Sequence, residues 1–253
     1  MNKQEIISRL NYDYDVIYKK STDSTNNDAK KSAGNKNLLI AAEEQTAGKG
    51  RYGRSFYSKN NGGLYFTLKI NNTNLNTGGI TFFPLIAATA VSQAVSSLCG
   101  IELSIKWPND LLYKSNLGYR KLCGILTEAS ISAESVSYVI VGIGLNVNQT
   151  LTDFPSEIKN TASSLKIISG KKYSRTALLC EIVNDFTQLL HVPRELLLDE
   201  YQKRLLLGTD ISFTQDGRTV KGKSVGINEN GNLIAKLENG EQTIIQSGEI
   251  NFI

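Results

Sequence analysis

The stretch Gln45-Thr46-Ala47-Gly48-Lys49-Gly50-Arg51-Tyr52-Gly53-Arg54 places three glycines and three cations within seven residues. Glycine lets a backbone approach a ligand closely, and Lys and Arg are the usual partners of phosphate and carboxylate. Leu38–Glu43, just upstream, reads as a strand, so the segment reads as an anion-binding loop at a strand end. Gly48-x-Gly50-x-x-Gly53 also has the dinucleotide spacing, but that motif needs a helix directly after it and an acid about twenty residues on. Residues 54–63 form a poor helix, and Thr67–Asn76 contains no Asp or Glu. A P-loop would require Gly-Lys followed by Ser or Thr, which is absent. A solvated basic hairpin is the plain alternative.

Working outward, Tyr14, Val16 and Tyr18 alternate with polar residues and predict a strand. Ser24-Thr25-Asn26 opens a helix running to about Ser32; these residues serve either as an N-cap or as holders of a polar ligand head. Asn60-Asn61-Gly62-Gly63 reads as a turn before the strand Leu64–Ile70. Phe82–Cys99 is apolar almost all round, is interrupted by Thr89, Ser92 and Gln93, and is stopped by Gly100. It predicts a helix buried against a sheet, not a membrane span. Leu103–Lys106 is a short strand leading into Lys106-Trp107-Pro108-Asn109-Asp110. Alone, that segment reads as a turn with a surface lysine; facing a site, a lysine there could bridge two anions.

Leu111–Tyr113 and Lys121–Glu128 read as the arms of a hairpin tipped by 115–119. Val136–Val147 is a strand containing Gly142-Ile143-Gly144-Leu145-Asn146, which is either a strand end against a nucleotide or a tight turn. Ser174–Leu190 has helical apolar spacing, and a second helix follows Pro193 through Leu206. After Gly208 come four short strands, Ile211–Thr214, Thr219–Ile227, Asn232–Leu237 and Glu241–Gln246. Turn signals at Asp216-Gly217, Gly231 and Asn239-Gly240 separate them, which predicts a small barrel. The expected division is 1–207 and 208–253.

The 253 residues carry a net charge of +4 with cations dispersed, which fits anionic ligands without demanding nucleic acid. Cys99, Cys123 and Cys180 lack metal or redox spacing, and His191 is the only histidine. No metal-ligating residues, no Ser/His/Asp or Cys/His constellation and no signal peptide are expected. A soluble cytoplasmic protein without a membrane partner is expected.

Taken together, Ser24-Thr25-Asn26, Gln45 through Arg54, Lys106 through Asp110, Lys121-Leu122-Cys123-Gly124-Ile125-Leu126 and Gly142 through Asn146 resemble the biotin–protein ligases in order and spacing. The resemblance runs from about Tyr14 to the end. It implies an α/β (α+β) catalytic domain of the class II aminoacyl-tRNA synthetase-like, biotin–lipoate ligase type: a mixed sheet with helices on one face, joined to an SH3-like barrel. It implies biotin, ATP and Mg²⁺ as ligands, and a biotin carboxyl carrier domain as protein partner. The implied reaction forms biotinyl-5′-adenylate and then modifies a carrier lysine.

By the same resemblance, Lys106 and Arg51 are the catalytic candidates. Ser24, Thr25, Asn26, Gln45, Gly48, Lys49, Gly50, Arg54, Trp107, Asn109, Gly124 and Asn146 join them in binding. Bacterial relatives often have Gly-Arg-Gly-Arg-Arg-Gly-Arg in the loop; Lys49 and Tyr52 replace two of those arginines here. The Lys114–Arg120 tip is longer than in some relatives. Some members carry an N-terminal winged helix-turn-helix, which needs roughly 60 residues or more. No such length precedes Ser21, so no DNA partner is expected. A homodimer through sheet edges is compatible with the family. The rival readings are a lipoate or octanoate ligase, and a biotin-binding regulator without ligase activity.

Overall fold

The computed structural model describes residues 1–59, 62–71, 77–132, 135–215 and 217–253. The turns expected at 60–63 and 216–217 lie partly outside the described residues. Seven strands form the larger sheet: β1 (Asp15–Thr22), β2 (Leu38–Gln45), β3 (Leu64–Asn71), β4 (Ser104–Lys106), β5 (Asp110–Ser115), β6 (Gly118–Ser132) and β7 (Ser135–Leu145). Their order is β1-β2-β3-β7-β6-β5-β4. Only β1 and β2 pair in parallel, which makes the sheet mixed.

Alternation along the strands separates two faces. Leu39, Ala41, Phe66, Leu68, Val139 and Val141 point into the main core. That face is covered by α1 (Lys3–Arg9), α3 (Phe82–Cys99), α5 (Arg175–Leu189) and α6 (Arg194–Gln202). The helix α3 ends at Gly100, whose φ of 64° suits glycine, with its N–H donating to Ser96 O. The segment Gly78–Cys99 is long and apolar enough to cross a membrane, yet 67% of its apolar window is buried within the fold. Its cover is the α5 stripe of Leu178, Leu179, Ile182, Val183 and Phe186.

The second face departs from the expectation of helices on one side. The helix α2 (Thr25–Lys31) packs there, where Ala29 meets Leu38, Ile40 and Ile140 in a separate cluster. Small residues let α2 sit close: Thr25, Asn26 and Ala29 are its buried positions. This face carries the site.

The C-terminal strands are β8 (Asp210–Gln215), β9 (Arg218–Ile227), β10 (Leu233–Leu237), β11 (Gln242–Ile245) and β12 (Asn251–Phe252), ordered β11-β10-β9-β8-β12 and all antiparallel. The region was expected to hold four or five strands; β12, only two residues long, is the fifth, and it carries no periodicity that would place it. Ile211, Phe213, Leu233, Ala235, Ile245 and Ile250 belong to the same apolar core as α3 and α5. The barrel-like sheet is therefore packed into the body of the fold.

One half-buried acid sets a stability prediction. Burial raises the pKa of Asp185 on α5 from 3.8 to about 6, with Glu181 adding to the effect. The folded state thus holds this proton more tightly than the unfolded chain does. Ionisation costs stability as pH rises through that interval, and the cost is complete above it. Discounted for partial exposure, Asp185→Asn raises stability at pH 7.5 by about 1 kcal/mol. The urea midpoint should show this gain at pH 7.5, and the gain should vanish when both states hold a protonated Asp185.

Candidate active site

Three glycines form the floor. Gly124 on β6 pairs with Gly144 on β7, and Gly142 pairs with Leu126 two residues along, on the same face. A Cβ at Gly144 would lie 2.4 Å from the Phe56 ring, and one at Gly124 would lie 3.1 Å from it. A Cβ at Gly142 would lie 2.2 Å from Asn26 Oδ1. Side chains from α2 and from the loop after β2 therefore rest directly on sheet backbone, a closeness only glycine permits here.

The start of α2 supplies a wall of polar groups. Thr25 donates its N–H and its hydroxyl to Gln45 Oε1 at 2.9 and 3.0 Å, while Gln45 Nε2 donates to Ser58 Oγ. Thr67 Oγ1 donates to Asn26 Oδ1 at 2.6 Å, and Asn26 Nδ2 donates to Glu128 at 2.9 Å. Burial opposes the charge on Glu128, but hydrogen bonds from Lys30 and Asn26 hold its carboxyl below the usual range. Ser24 lines the pocket and spends no side-chain hydrogen bond on capping α2.

Lys49, Arg51, Arg54, Lys106 and Lys121 line the same pocket. Like charges gathered this closely repel unless anions or acceptors stand between them. Arg51 donates to Asn109 Oδ1, Gly248 O and the Tyr52 hydroxyl at 3.1, 2.9 and 3.0 Å. Arg54 pairs with Glu249 at 2.6 Å, Lys121 pairs with Asp110 at 2.7 Å, and Lys49 donates to Asn27 Oδ1. The loop is pinned as a narrow hairpin by Gly50 N–H to Arg54 O and Phe56 N–H to Gly48 O. At its tip Tyr52 takes a φ of 54°, a left-handed conformation uncommon outside glycine.

Lys106 differs from the other cations: among the described residues its side chain has no hydrogen bond or ion pair, and its ammonium sits 5.1 Å from the Phe252 ring centre. Burial lowers its pKa, partly offset by the charges of Asp110 and Glu249. Trp107 is buried and donates its indole N–H to Gly231 O at 2.9 Å, locking the strand end beneath the barrel.

Residues 16–146 match the biotin/lipoate A/B protein ligase family, and residues 206–252 match the biotin protein ligase C-terminal domain. The chain belongs to the biotin protein ligase family. A bifunctional ligase/repressor BirA of Bacillus subtilis is 32% identical over 249 residues, covering 96% of this chain and 74% of that protein. A biotin–[acetyl-CoA-carboxylase] ligase of Mycobacterium tuberculosis is 27% identical, covering 84% of this chain and 78% of that one. The structure of Aquifex aeolicus biotin protein ligase in complex with biotin and ATP superposes with a TM-score of 0.80 at 31% identity, covering 94% of this chain and 98% of that chain.

Set against this family, most of the residues expected at the site converge. Ser24, Thr25, Asn26, Gln45, Lys49, Gly50, Arg51, Arg54, Lys106, Trp107, Asn109 and Gly124 all line the pocket. Two expected residues do not. Gly48 lies beneath the loop, where a Cβ would strike Phe56 O at 2.5 Å and Ser58 Oγ at 2.7 Å; its part is to let the hairpin close. Asn146 is buried off the pocket, accepting from Gln149 Nε2 at 3.1 Å.

Other pocket residues were not assigned from sequence. Lys121 lies three residues before Gly124, and its pairing with Asp110 across β5 and β6 has no local signal in the sequence. Phe56 reads as an ordinary core aromatic until Gly124 and Gly144 are seen beneath it. Glu249 lies 195 residues from Arg54, and no local signal joins them. Among the described residues no group of three or more His, Cys, Asp or Glu side chains gathers to hold a metal.

Proposed function

We propose that this chain is an ATP-dependent biotin–protein ligase. A biotin carboxylate oxygen attacks the α-phosphate of ATP, the bond to the leaving pyrophosphate breaks, and biotinyl-5′-adenylate forms. A lysine ε-amine on a carboxylase's biotin carrier domain then attacks the acyl carbon, and AMP departs. The observation that carries the reading is the convergence of five cations on one pocket, beside a glycine floor and a polar wall. Joining a carboxylate to a triphosphate is opposed by charge repulsion, which positioned cations offset. The thiophane ring of biotin lies on the floor near Phe56, with Ser24, Thr25, Asn26 and Gln45 taking the N–H and C=O groups of the fused ureido ring. Lys49, Arg51 and Arg54 take phosphate oxygens, and Lys106 and Lys121 stabilise charge between the two reactants.

Magnesium fits as an ion carried by the triphosphate, because the acids lining the pocket, Asp110 and Glu249, are each paired with a cation, Lys121 and Arg54. It would neutralise phosphate charge when bound. The reading divides the polypeptide at 207/208 and places the enzyme in the cytoplasm. Among the described residues β5 pairs with β6 only as far as Gly124. The remaining edge supports strand addition by a second copy.

The test supplies ATP, labelled biotin and a carrier domain. Label on the carrier lysine with release of pyrophosphate is expected. Adenylation of lipoate in place of biotin would support the lipoate ligase, a reading that the relatives named for biotin do not favour. Tight biotin binding without transfer would support the regulator.

Arg51→Gly severs the contacts to Asn109, Gly248 and Tyr52 at once. Free biotinyl-adenylate should escape about tenfold faster or more, because the loop no longer closes the site. Trapping released adenylate with an added amine measures the leak.

A further inference from the structure

We propose that Phe252, on the last barrel strand, is a positioning residue for Lys106, holding its ammonium toward the reacting carboxylate and phosphate. The inference rests on the ligase reading above and extends it to a side chain from the barrel. Lys106 is the pocket cation without a hydrogen-bonding partner among the described residues, and a long mobile side chain needs some other restraint. The Phe252 ring is that restraint, 5.1 Å from Lys106 Nζ. A cation over an aromatic face is attracted without being neutralised. The ammonium is therefore held without a carboxylate competing for its hydrogen-bond donors, which stay available to the transition state.

The ring is itself held in place. Tyr119, from the β6 side of the hairpin tip, packs against Phe252 with ring centres 5.7 Å apart and planes inclined by 47°. The backbone of β12 is fixed to β8 by the pairing of Phe252 with Ile211, and the preceding Ile250 is buried and lines the pocket. The hairpin tip thus has a role in this site: it carries the aromatic that braces the ring over Lys106.

The experiment compares Phe252→Leu, Phe252→Tyr and the wild-type enzyme by pyrophosphate release with ATP and biotin, with no carrier present. Leucine keeps apolar bulk but has no π-face, whereas tyrosine restores the ring. Phe252→Leu should lower kcat for adenylation about tenfold, with the KM for biotin within about twofold. Phe252→Tyr should restore kcat to within about twofold. In a Lys106→Ala background, Phe252→Leu should add no further loss, because the restrained group is gone.

A Phe252→Leu enzyme at wild-type kcat, or an undiminished effect in the Lys106→Ala background, overturns the inference. So does a change confined to the KM for ATP, which would make Phe252 a nucleotide contact only. Failure of the wild-type enzyme to adenylate biotin overturns the ligase reading, and this inference with it. An active wild-type enzyme with an unaffected Phe252→Leu variant overturns this inference alone.

Discussion

Lys106→Ala should slow biotinyl-adenylate formation by about 10²–10³-fold, the usual loss for one preorganised charge at a developing anion, while biotin affinity changes less than about threefold. The asymmetry follows from where the ammonium stands. Among the described residues its ammonium makes no ion pair, and burial disfavours its charge with only partial offset from Asp110 and Glu249, so a developing negative charge beside it gains a contact that the ground state does not supply. Interactions that strengthen only on reaching the transition state appear in kcat and not in ground-state binding. Lys121→Ala should lose at least as much, because it also leaves Asp110 unpaired beside the triphosphate. Stopped-flow pyrophosphate release and equilibrium biotin titration separate the two quantities. Equal losses in rate and affinity for Lys106→Ala would make it a simple binding residue.

Gly142→Ala should weaken biotin binding by about 100-fold or more. The added Cβ would fall 2.2 Å from Asn26 Oδ1 and 2.9 Å from its Cγ. Neither side can yield easily. Gly142 lies mid-strand between β3 and β6, and Asn26 is tied to both Thr67 and Glu128. The cheapest escape tilts the start of α2, carrying Thr25 away from Gln45 and dispersing the polar wall. A site built on hydrogen bonds loses discrimination of this size when its donors and acceptors are left unmatched. Calorimetric titration of biotin measures it, with thermal unfolding as the control for fold. Binding within threefold of wild type would place biotin away from this floor.

The strands, the long helices and the barrel were legible because each has its own period: alternation for Leu64–Ile70, helical spacing for the α5 stripe, and glycine turns between the C-terminal strands. The helix α1 was missed because Ile6 is its one buried residue, and a single apolar anchor has no period. The placement of α2 on the second face was hidden because Thr25, Asn26 and Ala29 are small, and small residues read as loop or cap instead of contact surface. In the site, residues next to glycines in motif-like runs were readable from the chain. Phe56 and Glu249 were not, since their meaning depends on strands and loops that meet only after folding.

The barrel's grip on the pocket has a consequence for protein engineering. Gly231 O receives the Trp107 indole, Gly248 O receives Arg51, Glu249 holds Arg54, and Phe252 faces Lys106. The C-terminal unit is therefore not an interchangeable cassette. A chimera that grafts it from a distant homologue must import matching partners at Arg51, Arg54, Lys106 and Trp107, or it will join two well-formed halves across a mismatched seam.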